Sequence, residues 1–132
     1  MTAFYAHAGG VTAGFLVLAA GFVIVKFFRQ KRWWLKAHRM AGYAGALCFL
    51  AGLAAAVAMV AQSGEAHLKL PHAWLGISTI ALVVATPVVG QLQFRIRSRI
   101  RQLRSVHRWS GRLTLALALL TLLSGLRTAG II

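Results

Sequence analysis

The stretch MAGYAGALCFLAGLAAAVAMVAQSG, residues 40–64, contains no Lys, Arg, Asp or Glu. A helix needs about 20 predominantly apolar residues to cross a hydrocarbon core about 30 Å thick, and this run is long enough. Three more stretches of the same kind flank it. One runs from Phe4 to Phe28, with no charge before Lys26. Another runs from Pro71 to Phe94 without a charged residue. The last starts near Ser105, holds Arg112 in its first turns and continues past Leu126. A bilayer core offers no water to the backbone, so each run is expected to be a helix. The expected spans are residues 4–28, 38–62, 71–94 and 105–127. The expected fold is all-α, an integral membrane four-helix up-down bundle, with residues 1–132 as a single transmembrane domain.

Composition supports this reading and excludes others. The chain has 132 residues, 59% of them hydrophobic, with mean hydropathy +0.73, fifteen Lys or Arg and one acid, Glu65. A soluble domain carries roughly a quarter charged residues of both signs, against 12% here. A water-facing surface cannot be built from so few, and disorder requires low hydrophobicity. The net charge of +14 could point to nucleic acid. Its cations, however, lie between the apolar runs, where they set topology. Lys26, Arg29, Lys31, Arg32, Lys36 and Arg39 surround the first connection, and Arg95, Arg97, Arg99, Arg101, Arg104, Arg108 and Arg112 the third. The opposite side holds only Lys69 and Arg127, with Glu65. The positive-inside rule puts the basic connections in the cytoplasm and both termini on the non-cytoplasmic side. The N-terminal residues lack the basic start of a cleaved signal peptide, so the first span is expected to be retained. Cys48 stands alone inside the second span, and no Cys-x-x-Cys-His is present, which excludes covalently attached c-type haem.

Carboxylate pairs, nucleophile elbows, phosphate-binding glycine loops and zinc signatures are missing from the sequence. Histidine stands out instead. His7, His38, His72 and His107 open the four spans, one each, at separations of 31, 34 and 35 residues, a helix-plus-loop repeat. Alternating span direction puts His7 and His72 near one face and His38 and His107 near the other. In a square up-down bundle each pair lies on a diagonal, pointing across the centre. Below each histidine runs a stripe of small residues. Gly42, Gly76 and Gly111 follow at i+4, with Gly10 at i+3 after His7. Gly14, Gly45, Thr79 and Thr114 follow at i+7, and Gly21, Gly52, Thr86 and Thr121 at i+14. These positions share one helix face. Small residues leave room for a flat macrocycle, and i+14 lies about 21 Å down the helix, level with the opposite site.

Blander readings sit beside this one. Small-residue stripes also let membrane helices pack tightly with nothing between them, and a histidine at a helix end can be an interfacial polar group. Four histidines paired by depth, each above the same stripe, favour a ligand role. With one acid and one cysteine in the chain, a metal would have imidazole alone, which suits haem b. His67 competes with His72, but Pro71 suits a first helical turn and favours His72 as the ligand. His67 and Lys69 remain candidates for a propionate or an external partner, or are solvated loop residues. Arg39, Arg104, Arg108 and Arg112 flank the cytoplasmic-side histidines and could clamp propionates or simply set topology. Trp33, Trp34, Tyr43, Trp74 and Trp109 fit interfacial belts.

The motifs then acquire a likeness. His72-Ala-Trp-Leu-Gly76 resembles the His-Ser-Trp-Leu-Gly start of a core helix in the cytochrome b561 family. His38-Arg-Met-Ala-Gly42 and His107-Arg-Trp-Ser-Gly111 resemble the His-Arg-x-x-Gly starts of its other helices. The likeness covers nearly the whole chain as a four-helix core without the extra helices of eukaryotic members. It implies two non-covalent b haems passing electrons across the bilayer, from a reductant such as ascorbate to ferric iron or monodehydroascorbate. Carried over by position, His38 and His107 would ligate the cytoplasmic haem, and His7 and His72 the outer one. The chain departs from the pattern at His7, which lacks the glycine at i+4.

The leading expectation is thus a transmembrane electron carrier, of cytochrome b561 oxidoreductase type, with two bis-histidine haems. Its partners would be a redox donor and acceptor on opposite faces (ascorbate-like, quinol or protein), the lipid bilayer and no nucleic acid. It could act as a homodimer or as part of a larger complex. Two alternatives stand: the haem-bearing membrane subunit of a quinol dehydrogenase-type complex, or a non-redox helical scaffold or transporter fragment. The compact, unadorned chain points to a bacterial inner membrane.

Overall fold

A computed structural model of the chain describes residues 2–64 and 66–132; Glu65 lies outside them. Among the described residues there are four α-helices and no strand: α1 (Thr2–Phe27), α2 (Trp34–Ser63), α3 (Pro71–Arg95) and α4 (Ile100–Thr128). Each is long and apolar enough to cross a membrane. The all-α, four-span expectation therefore holds, and the protein is a membrane protein.

The helix ends differ from the expected spans. α2 starts at Trp34 and α4 at Ile100, both ahead of the apolar runs. Arg101, Gln102, Leu103 and Arg104 are good helix formers, so nothing stops the hydrogen-bond ladder where the hydrocarbon ends. Arg101 and Arg104, expected in a loop, are helical, and a 3₁₀ turn over Arg97–Arg99 joins α3 to α4. His107 consequently sits two turns inside its helix instead of opening it. Stops are clearer elsewhere. Gly64 closes α2 at φ 70°, a left-handed conformation that costs glycine nothing. Pro71 begins α3, where its missing N–H is not needed.

The chain forms two compact units, Met1–Trp74 and Leu75–Ile132. In the first, α1 and α2 run antiparallel: Gly10 faces Gly52, Gly14 faces Gly45, and Gly21 faces His38. In the second, α3 and α4 run antiparallel, with Thr79 against Thr121 and Thr86 against Thr114. Lipid tails are as apolar as leucine, so helices associate in a membrane through close packing and hydrogen bonds. The two hairpins divide these means between them.

The first hairpin packs on glycine. A Cβ on Gly14 would lie 2.7 Å from the Phe49 ring, and one on Gly45 would lie 2.6 Å from Leu18. Each glycine is a socket for a large side chain of the other helix. The second hairpin is held by threonine hydroxyls. Thr79 Oγ1 and Thr121 Oγ1 are 2.8 Å apart, and Thr86 and Thr114 are 3.1 Å apart. Thr121 donates its proton to the Leu117 carbonyl and Thr114 to the Ser110 carbonyl. Each hydroxyl has one proton, so Thr79 and Thr86 must be the donors across the helix pair. Meanwhile Leu16, Leu47, Val88 and Leu120 are all more than half exposed. Large apolar groups on the outside and small ones within suit a lipid solvent.

Candidate functional site

The four histidines are placed by their helices, and three are oriented by a carbonyl of the helix beside them. His7 Nδ1 lies 2.9 Å from the Gly52 carbonyl oxygen, and His38 Nδ1 lies 3.0 Å from that of Gly21. His107 Nδ1 lies 3.0 Å from the Thr86 carbonyl oxygen. A carbonyl can only accept, so Nδ1–H donates in each case. In a neutral imidazole this puts the lone pair on Nε2. Metal-ligating histidines are held in the same way, with the remote N–H fixed to an acceptor.

The register explains the stripe. Gly21 is i+14 from His7, Gly52 is i+14 from His38, and Thr86 is i+14 from His72. In the first hairpin the relation is reciprocal, since each histidine reaches the i+14 carbonyl of the other helix. The i+14 residue is therefore small because an imidazole edge meets its backbone. A Cβ on Gly21 would stand 3.7 Å from His38 Nδ1.

Within the first unit α3 begins beside α1, and the rings of His7 and His72 stand 6.1 Å apart, centroid to centroid, at 78°. An imidazole nitrogen sits about 2 Å from a metal and its ring centre about 1 Å further, so two axial imidazoles face each other at roughly 6 Å. The observed spacing fits a bis-imidazole iron. His67 lies in the exposed turn before α3. Among the described residues no group of three or more His, Cys, Asp or Glu converges, so imidazole pairs are the donor sets to consider.

The expected glycines divide into two kinds. At Gly14 and Gly45 the room expected for a macrocycle is taken by Phe49 and Leu18. These larger residues lie at i+11, which falls on the same face as i, i+4, i+7 and i+14. Val83 and Ala118 occupy the same register in the second hairpin, and Phe49, Val83 and Ala118 are almost fully buried. Helical periodicity carried one step further would have found them. At i+4 the surroundings differ. Nothing lies within 4 Å of a Cβ built on Gly42, and those on Gly76 and Gly111 would meet only a threonine methyl at 4.0 and 3.8 Å. Open space beside the histidines thus lies at i+4. Gly90 was also not foreseen: a Cβ there would come 3.0 Å from His107 Cε1.

The candidate arginines lie on the surface. Arg39, Arg108 and Arg112 are exposed. Arg112 holds its guanidinium 5.0 Å from the centre of the Trp109 ring, a cation–π arrangement suited to the membrane interface. Its position, five residues past His107, is about 140° around the helix.

These features together make a chain of four membrane-length helices in which three imidazoles are oriented by backbone carbonyls. No curated protein and no solved structure gives a significant match. Residues 6–132 match the family model described as eukaryotic cytochrome b561, a match that begins just before His7 and takes in both hairpins. The chain belongs to the cytochrome b561 family, whose members use haem b to transfer electrons across membranes.

Proposed function

We propose that the chain holds two non-covalent b haems, one near each face, and relays electrons between a cytoplasmic-side and a non-cytoplasmic-side redox partner. The observation that carries this reading is the His7–His72 pair, at the spacing of two axial ligands, with His7 tied through Nδ1 so that Nε2 can ligate. His7 and His72 would hold the outer haem. His38 and His107 would hold the inner one, a pairing that rests on chain order, and both are tied through Nδ1 in the same sense. Haem b supplies a one-electron Fe(III)/Fe(II) couple when bound.

The chain's own residues do the rest. Two imidazoles per iron would leave no coordination position for oxygen or substrate, which restricts the protein to electron relay. The carbonyls of Gly52, Gly21 and Thr86 fix ring tautomer and raise ligand basicity. Gly42, Gly76 and Gly111 leave space beside the histidines, while Gly14 and Gly45 bring α1 and α2 close enough for the carbonyl ties. Arg39, Arg108 and Arg112 are the candidate cations for inner propionates. The thirteen cations of the first and third connections support a cytoplasmic position for that end. The bacterial inner membrane expected from the compact chain belongs to this reading, although the family description is eukaryotic. The donor and acceptor are proposed as ascorbate-like, quinol or protein partners.

The test is vectorial. The purified protein is placed in liposomes loaded with ferricyanide, and an impermeant or membrane-delivered reductant is added outside. Reduction of the trapped ferricyanide at least tenfold faster than in protein-free liposomes is expected, and loss of that rate in H72A. Rates equal to protein-free liposomes, with haem present, would overturn the relay. Oxidation of a lipid-soluble quinol only with a soluble partner present would favour a subunit of a quinol dehydrogenase-type complex.

A further inference from the structure

We propose that Gly90 is a positioning residue for His107: its missing side chain lets the imidazole lie where it does, and thereby sets the ligand plane of the haem assigned to that histidine. This inference rests on the haem-ligand reading above and deepens it.

The argument starts from two constraints on one ring. His107 Nδ1 is bonded to the Thr86 carbonyl at 3.0 Å. Gly90 follows Thr86 by one helical turn on α3 and lies under the same ring. A Cβ at Gly90 would stand 3.0 Å from His107 Cε1, 3.2 Å from Nδ1 and 3.7 Å from Nε2. Ordinary carbon contacts begin at about 3.5 Å, so the ring would have to turn or withdraw. It has little freedom to do so. Turning about its bond to Thr86 moves Nε2, and withdrawing breaks the Nδ1–H bond.

Chemistry and helix preference point in opposite directions at this position. Alanine is the better helix former, and a membrane helix gains nothing from glycine except close approach. The close approach here is to an imidazole edge, not to another helix's backbone. That contrasts with Gly10 and Gly52, whose nearest neighbours are backbone atoms. Gly90 thus acts on the ligand ring, where those glycines act on helix spacing.

The experiment compares wild-type protein, G90A and G9A, the last adding a methyl where nothing lies within 4 Å. Haem content of the wild type is read first and tests the underlying reading by itself. Low-temperature electron paramagnetic resonance and a redox titration then follow each haem. In G90A one low-spin signal should change its g values and one midpoint should shift, the other haem and all of G9A matching wild type. The haem-free full chain gives a second reading: the ¹⁵N shift of His107 Nδ1 should move in G90A and not in G9A. If G90A does not fold, the double variant G90A/H107A should fold, because the clash is removed. Unchanged g values and midpoint, an unmoved ¹⁵N resonance, or a double variant that also fails would each overturn the role of Gly90.

Discussion

A single carbonyl orients each of three histidines, His7, His38 and His107. Histidine can enter a membrane as a proton carrier, a belt residue or a ligand, and its tautomer sets which nitrogen is free to act. The Nδ1–carbonyl bonds of His7, His38 and His107 fix the proton on Nδ1 and leave the lone pair of a neutral imidazole on Nε2 without any carboxylate, in a chain that has only Glu65 to offer. Gly52 carries a double load. Its carbonyl accepts from His7, and a Cβ on it would come 2.8 Å from Val11 Cγ2 and 3.2 Å from the His7 carbonyl oxygen. Backbone cannot swing aside as a flexible side chain can. G52A should therefore cost about 1–3 kcal/mol by overpacking and release the haem of His7 before that of His38. Thermal melts in detergent, followed by haem absorbance, check this; a melt that matches wild type would show that α1 and α2 tolerate the extra methyl. At this scale the sequence was half legible. The four histidines and their stripes could be read, because both repeat with helical period. Which backbone atom meets each imidazole could not, because it depends on the antiparallel register, which puts His7 beside Gly52 and His38 beside Gly21.

At the level of elements, the two hairpins solve the same packing problem with different chemistry. α1 and α2 close on glycine sockets filled by Phe49 and Leu18, whereas α3 and α4 close on two threonine pairs. Thr79 and Thr121 are 1% and 4% exposed, so water cannot substitute for the bond. A T79V/T121V double-mutant cycle should give a coupling of about 0.6 kcal/mol and no more than ~1.7 kcal/mol, the range found for such bonds between membrane helices. A coupling indistinguishable from zero would mean that shape, and not hydrogen bonding, holds this hairpin. The spans were legible because a bilayer imposes a length of apolar residues that composition reveals directly. The helix starts at Trp34 and Ile100 were not, because charge marks where the hydrocarbon ends and says nothing about where the backbone ladder ends. Phe49 escaped for a different reason: a large residue inside a stripe of small ones breaks the compositional pattern while obeying the geometric one.

For the whole molecule, the proposed function draws on a motif repeated in part: a histidine in each of the four helices, an open i+4 glycine after His38, His72 and His107, and an i+14 carbonyl that meets an imidazole of the neighbouring helix at Gly21, Gly52 and Thr86. The membrane character and family membership stand on composition, four helices and the match over residues 6–132. The number of haems is the central claim. The measurement that tests it most directly is a pyridine haemochrome count per chain, with reduced-minus-oxidised spectra, in wild type and in H7A and H107A. The account predicts two b haems in wild type and one in each variant, with the remaining haem distinct in spectrum between the two. One haem in wild type that survives H7A and vanishes in H107A would contradict the outer site, and a chain that takes up no haem at all would contradict the account as a whole.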